Sequence, residues 1–451
     1  MFLFYTISGP ELTKPGDFNN FGGLTPERPP QSKERMDRMS AKFRLGMMMF
    51  LQYAIWGSWA TGLSAYLQNN LKFNGWELGI IFSLLPLATI ISPFIGGQFA
   101  DRWFPTQKVI AVLQLLGGVV LILIASVTAF APMMWLMLLY SLIYAPTLAL
   151  TNSIAFINLK DSDKDFGKIR VWGTIGWIAA GLALSAWRVL AKSPDDIAMR
   201  GDMLILAGVF SLLMGFLSFG LPNTPPKKEG AKPWAFLEAL KMFKDRNFLI
   251  FAVISFIVAT ELQFYYVLTS PFLTSSAIGV SQKSVTAVMT IGQFAEFFVM
   301  AFMLSWALRK FGTGKTMTLG ILAWPIRYII FVIGGPSWMV IASLALHGFC
   351  YVFFFTTAYI YVDSVAPKDI RASAQGLIAV IILGLGNFVG SLFCGWIQKL
   401  FTVETLDAAG NAVKTINWRS TFLVPTALTL VCLVVFMVFF RTKSTAAAAQ
   451  A

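Results

Sequence analysis

Histidine and cysteine are nearly missing from this chain, with one histidine and three cysteines in 451 residues. Cys350, Cys394 and Cys432 are isolated from one another, and each lies within an apolar stretch. That placement argues against a disulfide framework or a thiolate metal site and fits small packing residues. A single histidine, His347, leaves little room for a histidine metal cluster, and no phosphate-binding loop or nucleophile paired with a base is found. No cofactor or metal is therefore expected, and a membrane enzyme has little to stand on. Charge is also scarce, at 13% of residues, while 57% are hydrophobic. With a mean hydropathy of +0.69, this composition excludes a water-soluble globule.

What the chain has instead is long apolar runs. A helix needs about 20 apolar residues to cross a bilayer, and about a dozen such runs start near Phe43, Leu78, Lys108, Met133, Ile169, Met203, Phe248, Ser284, Thr316, Trp338, Ala372 and Trp418. The expectation is an all-α integral membrane protein with twelve transmembrane helices, whose first partner is the lipid bilayer.

The net charge of +13 suggests nucleic acid until the basic residues are located. They gather in alternate loops: Arg102 and Lys108, then Lys160, Lys164 and Lys168, then the segment 227–246, then Arg309, Lys310 and Lys315, then Lys368 and Arg371. An excess of Lys and Arg on one face is what membrane topology requires, so nucleic acid is not needed to explain it. Both termini should therefore lie on the cytoplasmic face. Residues 1–42 read as a disordered cytoplasmic tail, because they carry Pro, Gly, Asn and charge without periodicity. The opening MFLFYTI is too short for a signal-peptide core. Residues 222–247 read as a cytoplasmic linker with a short amphipathic stretch at 233–243. It separates an N-terminal six-helix half, 43–221, from a C-terminal half, 248–441, with 442–451 as a closing tail.

Internal repetition supports that division. FADRWFPTQK at 99–108 and WALRKFGTGK at 306–315 share Ala, Arg, Phe, Thr and Lys in register, each in the loop after the second helix of its half. Two six-helix halves related by a parallel repeat are the major facilitator arrangement, with a substrate site near the midplane between them. GGQFADRWFPTQK also resembles that superfamily's loop motif. Gly97 would allow close helix approach, Asp101 would sit near a helix end, and Arg102 and Lys108 would hold the cytoplasmic gate through charge contacts. Phe104 stands where the motif has its second glycine, and the basic residue comes one place late.

Carboxylates within apolar runs are the next signal, since each costs about 2.5 to 3.5 kcal/mol at a helix centre on insertion scales. Glu261 lies mid-run in the seventh helix and Glu296 in the eighth, with Gln263 and Gln293 nearby. Gln293 and Glu296, three apart, share a helical face. Arg170 and Arg327 are the basic residues that enter runs, and either could neutralise an acid. A buried acid that only fixes helix packing is the plain alternative.

Longer segments carry a more specific resemblance. LQYAIWGSWATGLSAYL, APTLALTNSI, IRVWGTIGWI, ELQ, QFAE, AWPIRY and IRASAQG follow one another in the order of the bacterial nucleoside:proton symporter family, and the likeness spans about 43–440. The resemblance implies a substrate site at Arg170, Thr174, Trp177, Gln263, Gln293 and Glu296. Tyr351 and Phe354 could add stacking faces beside Trp177. Amides, a hydroxyl and a carboxylate suit the hydroxyls and base edges of a neutral nucleoside, and an aromatic ring suits its base. A phosphorylated substrate would call for more convergent cations. Three positions depart from the family pattern: Val352 where it has an acid, Tyr266 where it has an asparagine, and His347 where it has a pocket-facing tyrosine, which makes His347, with Tyr351, a further candidate for the substrate site.

The implied function is import of a nucleoside, or a similar small polar ring compound, with protons by alternating access. Glu296 is the first proton carrier and Glu261 the second, with Asp363 and His347 behind them. A sugar or glycoside symporter and a transport-dead receptor stay open as alternatives.

Overall fold

A backbone in hydrocarbon must satisfy its own hydrogen bonds, so the apolar runs fold as helices. The computed structural model describes residues 31–102, 104–159, 162–191, 201–226, 239–367, 370–406 and 412–441, without the side chains of 31–38, 93–102, 162–164, 372, 406, 412 and 413. Among the described residues, 10 helical stretches are long and apolar enough to cross a membrane. One of these, Val285–Ile333, holds two crossings, because Gly312 adopts φ 73° and ψ 173° and breaks the helical path. Helix Gln31–Ala60, continued by Leu63–Asn69, supplies the remaining crossing.

On that basis the crossings are numbered one to twelve. The second to sixth are Gly75–Arg102, Thr106–Ala125, Phe130–Asn158, Ser162–Leu190 and Asp202–Phe219. The seventh is Arg246–Gln263 continued by Thr269–Thr274, and the eighth opens with Val285–Phe298. The ninth is the part of Leu304–Ile333 beyond Gly312. The tenth ends in Thr357–Val365, the eleventh runs through Arg371–Ala379 and Asn387–Leu400, and the twelfth is Trp418–Phe439. Local chemistry fixes several starts. Asn74 and Glu77 cap the second crossing reciprocally, each accepting the other's backbone N–H, and Asp245 accepts from Phe248 N at 2.8 Å to cap the seventh. Large side chains such as Trp135, Phe216, Phe302 and Trp338 point outward, as a lipid-facing belt requires.

The crossings pack as two halves. In the first, crossing one lies against five and six, two against four, and three against four and six. In the second, crossing seven lies against eleven and twelve, eight against ten, and nine against ten and twelve. The halves meet where crossing two packs on eleven and crossing five on eight. A Cβ on Gly79 would stand 2.7 Å from the Ser391 carbonyl oxygen, so glycine sets the spacing between two and eleven. The repeat sequences 99–108 and 306–315 occupy equivalent places, between the second and third crossings of each half.

Described polar contacts between the halves gather on the face where crossing one ends and crossing two begins. Ser185 and Thr286 hydroxyls lie 2.6 Å apart, and Thr286 also donates to the Gly181 carbonyl at 3.1 Å. Arg188 clasps Asp202 through Nε at 2.8 Å and Nη2 at 2.6 Å, and spends Nη1 on the Gln282 carbonyl across the interface at 3.1 Å. Asn69 donates to Thr274 at 2.9 Å. This face is latched shut. A hydrogen bond from a charged donor contributes about 1.5 to 3 kcal/mol, enough to move a two-state equilibrium by about tenfold or more. Arg188→Ala is therefore expected to open the latch. A cysteine introduced at Val285, now 1% exposed, should then react several-fold faster with a membrane-impermeant thiol reagent, and unchanged reactivity would remove Arg188 from the latch.

Two features differ from the sequence-based expectation. Helix begins at Gln31, inside the segment read as a disordered tail to residue 42. Residues 33–42 are mostly Lys, Glu, Arg, Met and Ala, without Pro or Gly, so they extend the first crossing's helix at little cost. Crossings eleven and twelve are joined by an antiparallel hairpin, Thr402–Leu406 (β1) with Ala412–Ile416 (β2), in which Glu404 faces Lys414. In the linker, Leu240–Lys244 forms a short 3-10 turn, while most of 233–243, like residues 1–30, lies outside the described residues.

Candidate functional site

Arg170, Thr174 and Trp177 stand at i, i+4 and i+7 of Ser162–Leu190, which puts them on one stripe of the helix. The glycines between them serve the packing. A Cβ on Gly176 would collide with the Phe50 carbonyl, and one on Gly173 would strike Arg170 and Tyr53. Crossing one therefore presses against crossing five, and Arg170 Cζ lies 3.8 Å from the centroid of the Tyr53 ring.

The second half supplies the opposite wall through helices that are locally widened by one extra residue in a turn. π-Helical turns span Phe264–Leu268, Val299–Met303, Cys350–Thr356 and Val380–Gly386, in crossings seven, eight, ten and eleven. Such turns mark functional sites in many helices because they re-aim side chains. Tyr266 and Tyr351 sit in two of them, and Gln293 and Glu296 lie on crossing eight just before a third.

These residues meet. A small cavity is lined by Thr174 and Trp177 from the first half and by Tyr266, Gln293, Glu296 and Tyr351 from the second. The Trp177 and Tyr266 rings lie 6.4 Å apart at 57°, and Trp56 supports Trp177 edge-on at 5.4 Å. The buried Gln293 amide has the Tyr265 hydroxyl as its polar neighbour, and Trp177 Nε1 is buried without a protein hydrogen-bond partner. Buried polar groups are rarely left so, and here they offer donors and an acceptor to whatever the cavity takes. Glu296 is the one acid in the wall, and Arg170 lies within electrostatic range of it. Among the described residues no three His, Cys, Asp or Glu side chains converge as metal ligands would.

Other sequence candidates lie outside this lining. Gln263 turns toward crossing eleven, where its Oε1 accepts from Ser391 at 3.1 Å. An α-helix would put Gln263 and Tyr266 on one face, and the π turn between them re-aims Tyr266 into the cavity. His347 stands one layer back, stacked on Tyr265 at 4.2 Å. Glu261 is fully buried with neither carboxylate oxygen hydrogen-bonded, and Tyr328 OH donates to its backbone carbonyl at 2.6 Å. Its electrostatic neighbours include Cys394 and Cys432 of crossings eleven and twelve. Phe354 is buried against Gly320 of crossing nine. Val352 packs among Val299, Leu304, Ala307 and Phe353, so an apolar residue fits there where the family pattern has an acid. Asp363 pairs with Arg371 at 3.6 Å, far along crossing ten toward its end. Lys108 is exposed, and the side chains of Gly97, Asp101 and Arg102 lie outside the described residues.

Sequence reasoning noted Tyr266 as a departure and did not assign it to the site. The signal was present: the tyrosine pair Tyr265–Tyr266 closely follows Glu261 and Gln263 in an apolar run.

A membrane bundle of two packed halves, latched on one face around a polar and aromatic cavity shared between them, is a secondary transporter of the major facilitator type. The profile of the nucleoside H+ symporter family matches residues 39–445. A putative nucleoside transporter of Escherichia coli, YegT, is 38% identical over 89% of this chain and 94% of its own. The xanthosine permease of the same organism is 31% identical over 89% and 96%. Among solved structures, that of the nucleoside transporter NupG superposes with a TM-score of 0.77 at 27% identity, covering 89% of this chain and all of the other. The chain belongs to the nucleoside H+ symporter family.

Proposed function

We propose that this protein imports nucleosides together with protons by alternating access, with the cavity between the halves as the substrate site. The observation that carries the reading is the pairing, in one cavity wall, of a buried amide, Gln293, and a single acid, Glu296. Trp177, Tyr266 and Tyr351 give a flat base faces to stack on, and Thr174, Gln293 and Glu296 meet hydroxyls and base edges. Arg170 sets the electrostatic environment of Glu296, which takes up and releases the proton, and Glu261 is the second carrier. Gln263 and His347 support the wall from behind.

Halves bounded at 43–221 and 248–441, both termini on the cytoplasmic face of an inner membrane, and a cytoplasmic gate at Gly97, Asp101, Arg102 and Lys108 complete the reading. Neither an enzymatic step nor a nucleic-acid partner is part of it. Uptake of labelled nucleosides into proteoliposomes tests it. Accumulation above equilibrium under an inward proton gradient is expected, abolished when the gradient is collapsed. Accumulation of sugars alone, or chemical conversion, would overturn it.

A further inference from the structure

Arg327 is a fully buried cation in crossing nine, and among the described residues it makes no ion pair. Aromatic faces surround it instead: its Cζ lies 4.7 Å from the ring centroids of Tyr265 and of Trp324, and 5.0 Å from that of Tyr328. Its remaining reach goes to the chain's single histidine. Arg327 Nη1 lies 3.4 Å from His347 Nδ1, and Nη2 lies 3.4 Å from Tyr328 OH. A guanidinium only donates hydrogen bonds, so Nδ1 must accept. The imidazole then carries its proton on Nε2, which is buried without a protein partner, and a second proton on Nδ1 would set two N–H donors and two positive charges face to face in a low-dielectric core.

The groups that face this ring come from every neighbouring element. Tyr265 stacks on it at 4.2 Å and 16°, Tyr266 stands edge-on at 6.0 Å and 83°, and Tyr351 of its own crossing lies 5.7 Å away. Cys350 lies beside Arg327. From crossing eight, the backbone of Ala295 and Glu296 presses against Gly348, the residue after His347. No carboxylate hydrogen-bonds the ring among the described residues, and two of its aromatic neighbours, Tyr266 and Tyr351, line the cavity.

We propose that Arg327 is a positioning residue for the cavity wall: it holds His347 as the neutral tautomer with the proton on Nε2. The ring then serves as a fixed spacer behind Tyr266 and Tyr351, and carries no proton through the transport cycle. Proton coupling is thereby confined to carboxyl groups. Only the transport consequence rests on the cavity being the substrate site; the tautomer does not.

Because the chain has one histidine, nitrogen-15 histidine labelling of the full protein in lipid nanodiscs, purified through a histidine-free tag, reports this ring alone. The expected spectrum shows a protonated Nε2 and an unprotonated Nδ1, unchanged from about pH 5 to about pH 8, the interval in which a free imidazole titrates. A ring that titrates in that interval, or one protonated on Nδ1, would overturn the proposal. In Arg327→Met the same signal should titrate or mix tautomers, and an unaltered spectrum would show that Arg327 is not the clamp. In uptake assays His347→Gln, whatever its effect on rate, should keep the shape of the pH profile; a flattened profile would make His347 a proton carrier after all. If no nucleoside is transported, the functional reading fails while the spectra still decide the tautomer.

Discussion

Glu296→Gln is expected to keep exchange of nucleoside across the membrane and to lose uphill accumulation driven by a pH gradient. Glutamine preserves the shape and the polar contacts of a protonated glutamate but cannot release a proton. In the wild type, substrate and proton bind in favour of one another if the carrier is a symporter, and by linkage each raises the affinity for the other. Wild-type affinity should therefore fall as the pH rises through the titration of the coupling carboxyl, and the variant, permanently neutral at that position, should bind with nearly constant affinity. Proteoliposome counterflow and gradient-driven uptake, measured side by side, separate the two outcomes. Retained accumulation in Glu296→Gln would pass the role to Glu261, whose unbonded, fully buried carboxyl is the remaining acid in the core of the second half.

Gln293→Ala should weaken nucleoside binding by about tenfold to a hundredfold, because removing a buried hydrogen-bond partner costs on the order of 1 to 3 kcal/mol. The amide lines the cavity and its polar neighbour in the protein is the Tyr265 hydroxyl, so the loss falls mainly on the ligand. Gln263→Ala provides the internal comparison. Its amide is already engaged by Ser391, so that variant should lose stability more than affinity. Calorimetric titration with a thermal-unfolding scan on both proteins distinguishes the roles. Equal losses of affinity would return Gln263 to the cavity wall, as its place in the family pattern suggests.

The sequence by itself determined the class of this protein. Runs of apolar residues long enough to span hydrocarbon leave helices as the only economical backbone, and the alternation of basic loops with the repeat at 99–108 and 306–315 divides those helices into two halves. Part of the site was equally legible, because helical periodicity is local: residues at 170, 174 and 177, or at 293 and 296, must share a face wherever the helix goes. What only the tertiary structure decided is where other faces point. The π turns at Phe264–Leu268 and Cys350–Thr356 insert a residue into the hydrogen-bond ladder, so spacing along the chain no longer predicts direction. That is why Tyr266 reaches the cavity while Gln263 turns to Ser391 and Val352 to an apolar cluster. The environment of His347 was hidden for a related reason. Its partner Arg327 lies on a different crossing, and whether a buried imidazole meets a donor or an acceptor depends on contacts that no stretch of sequence contains.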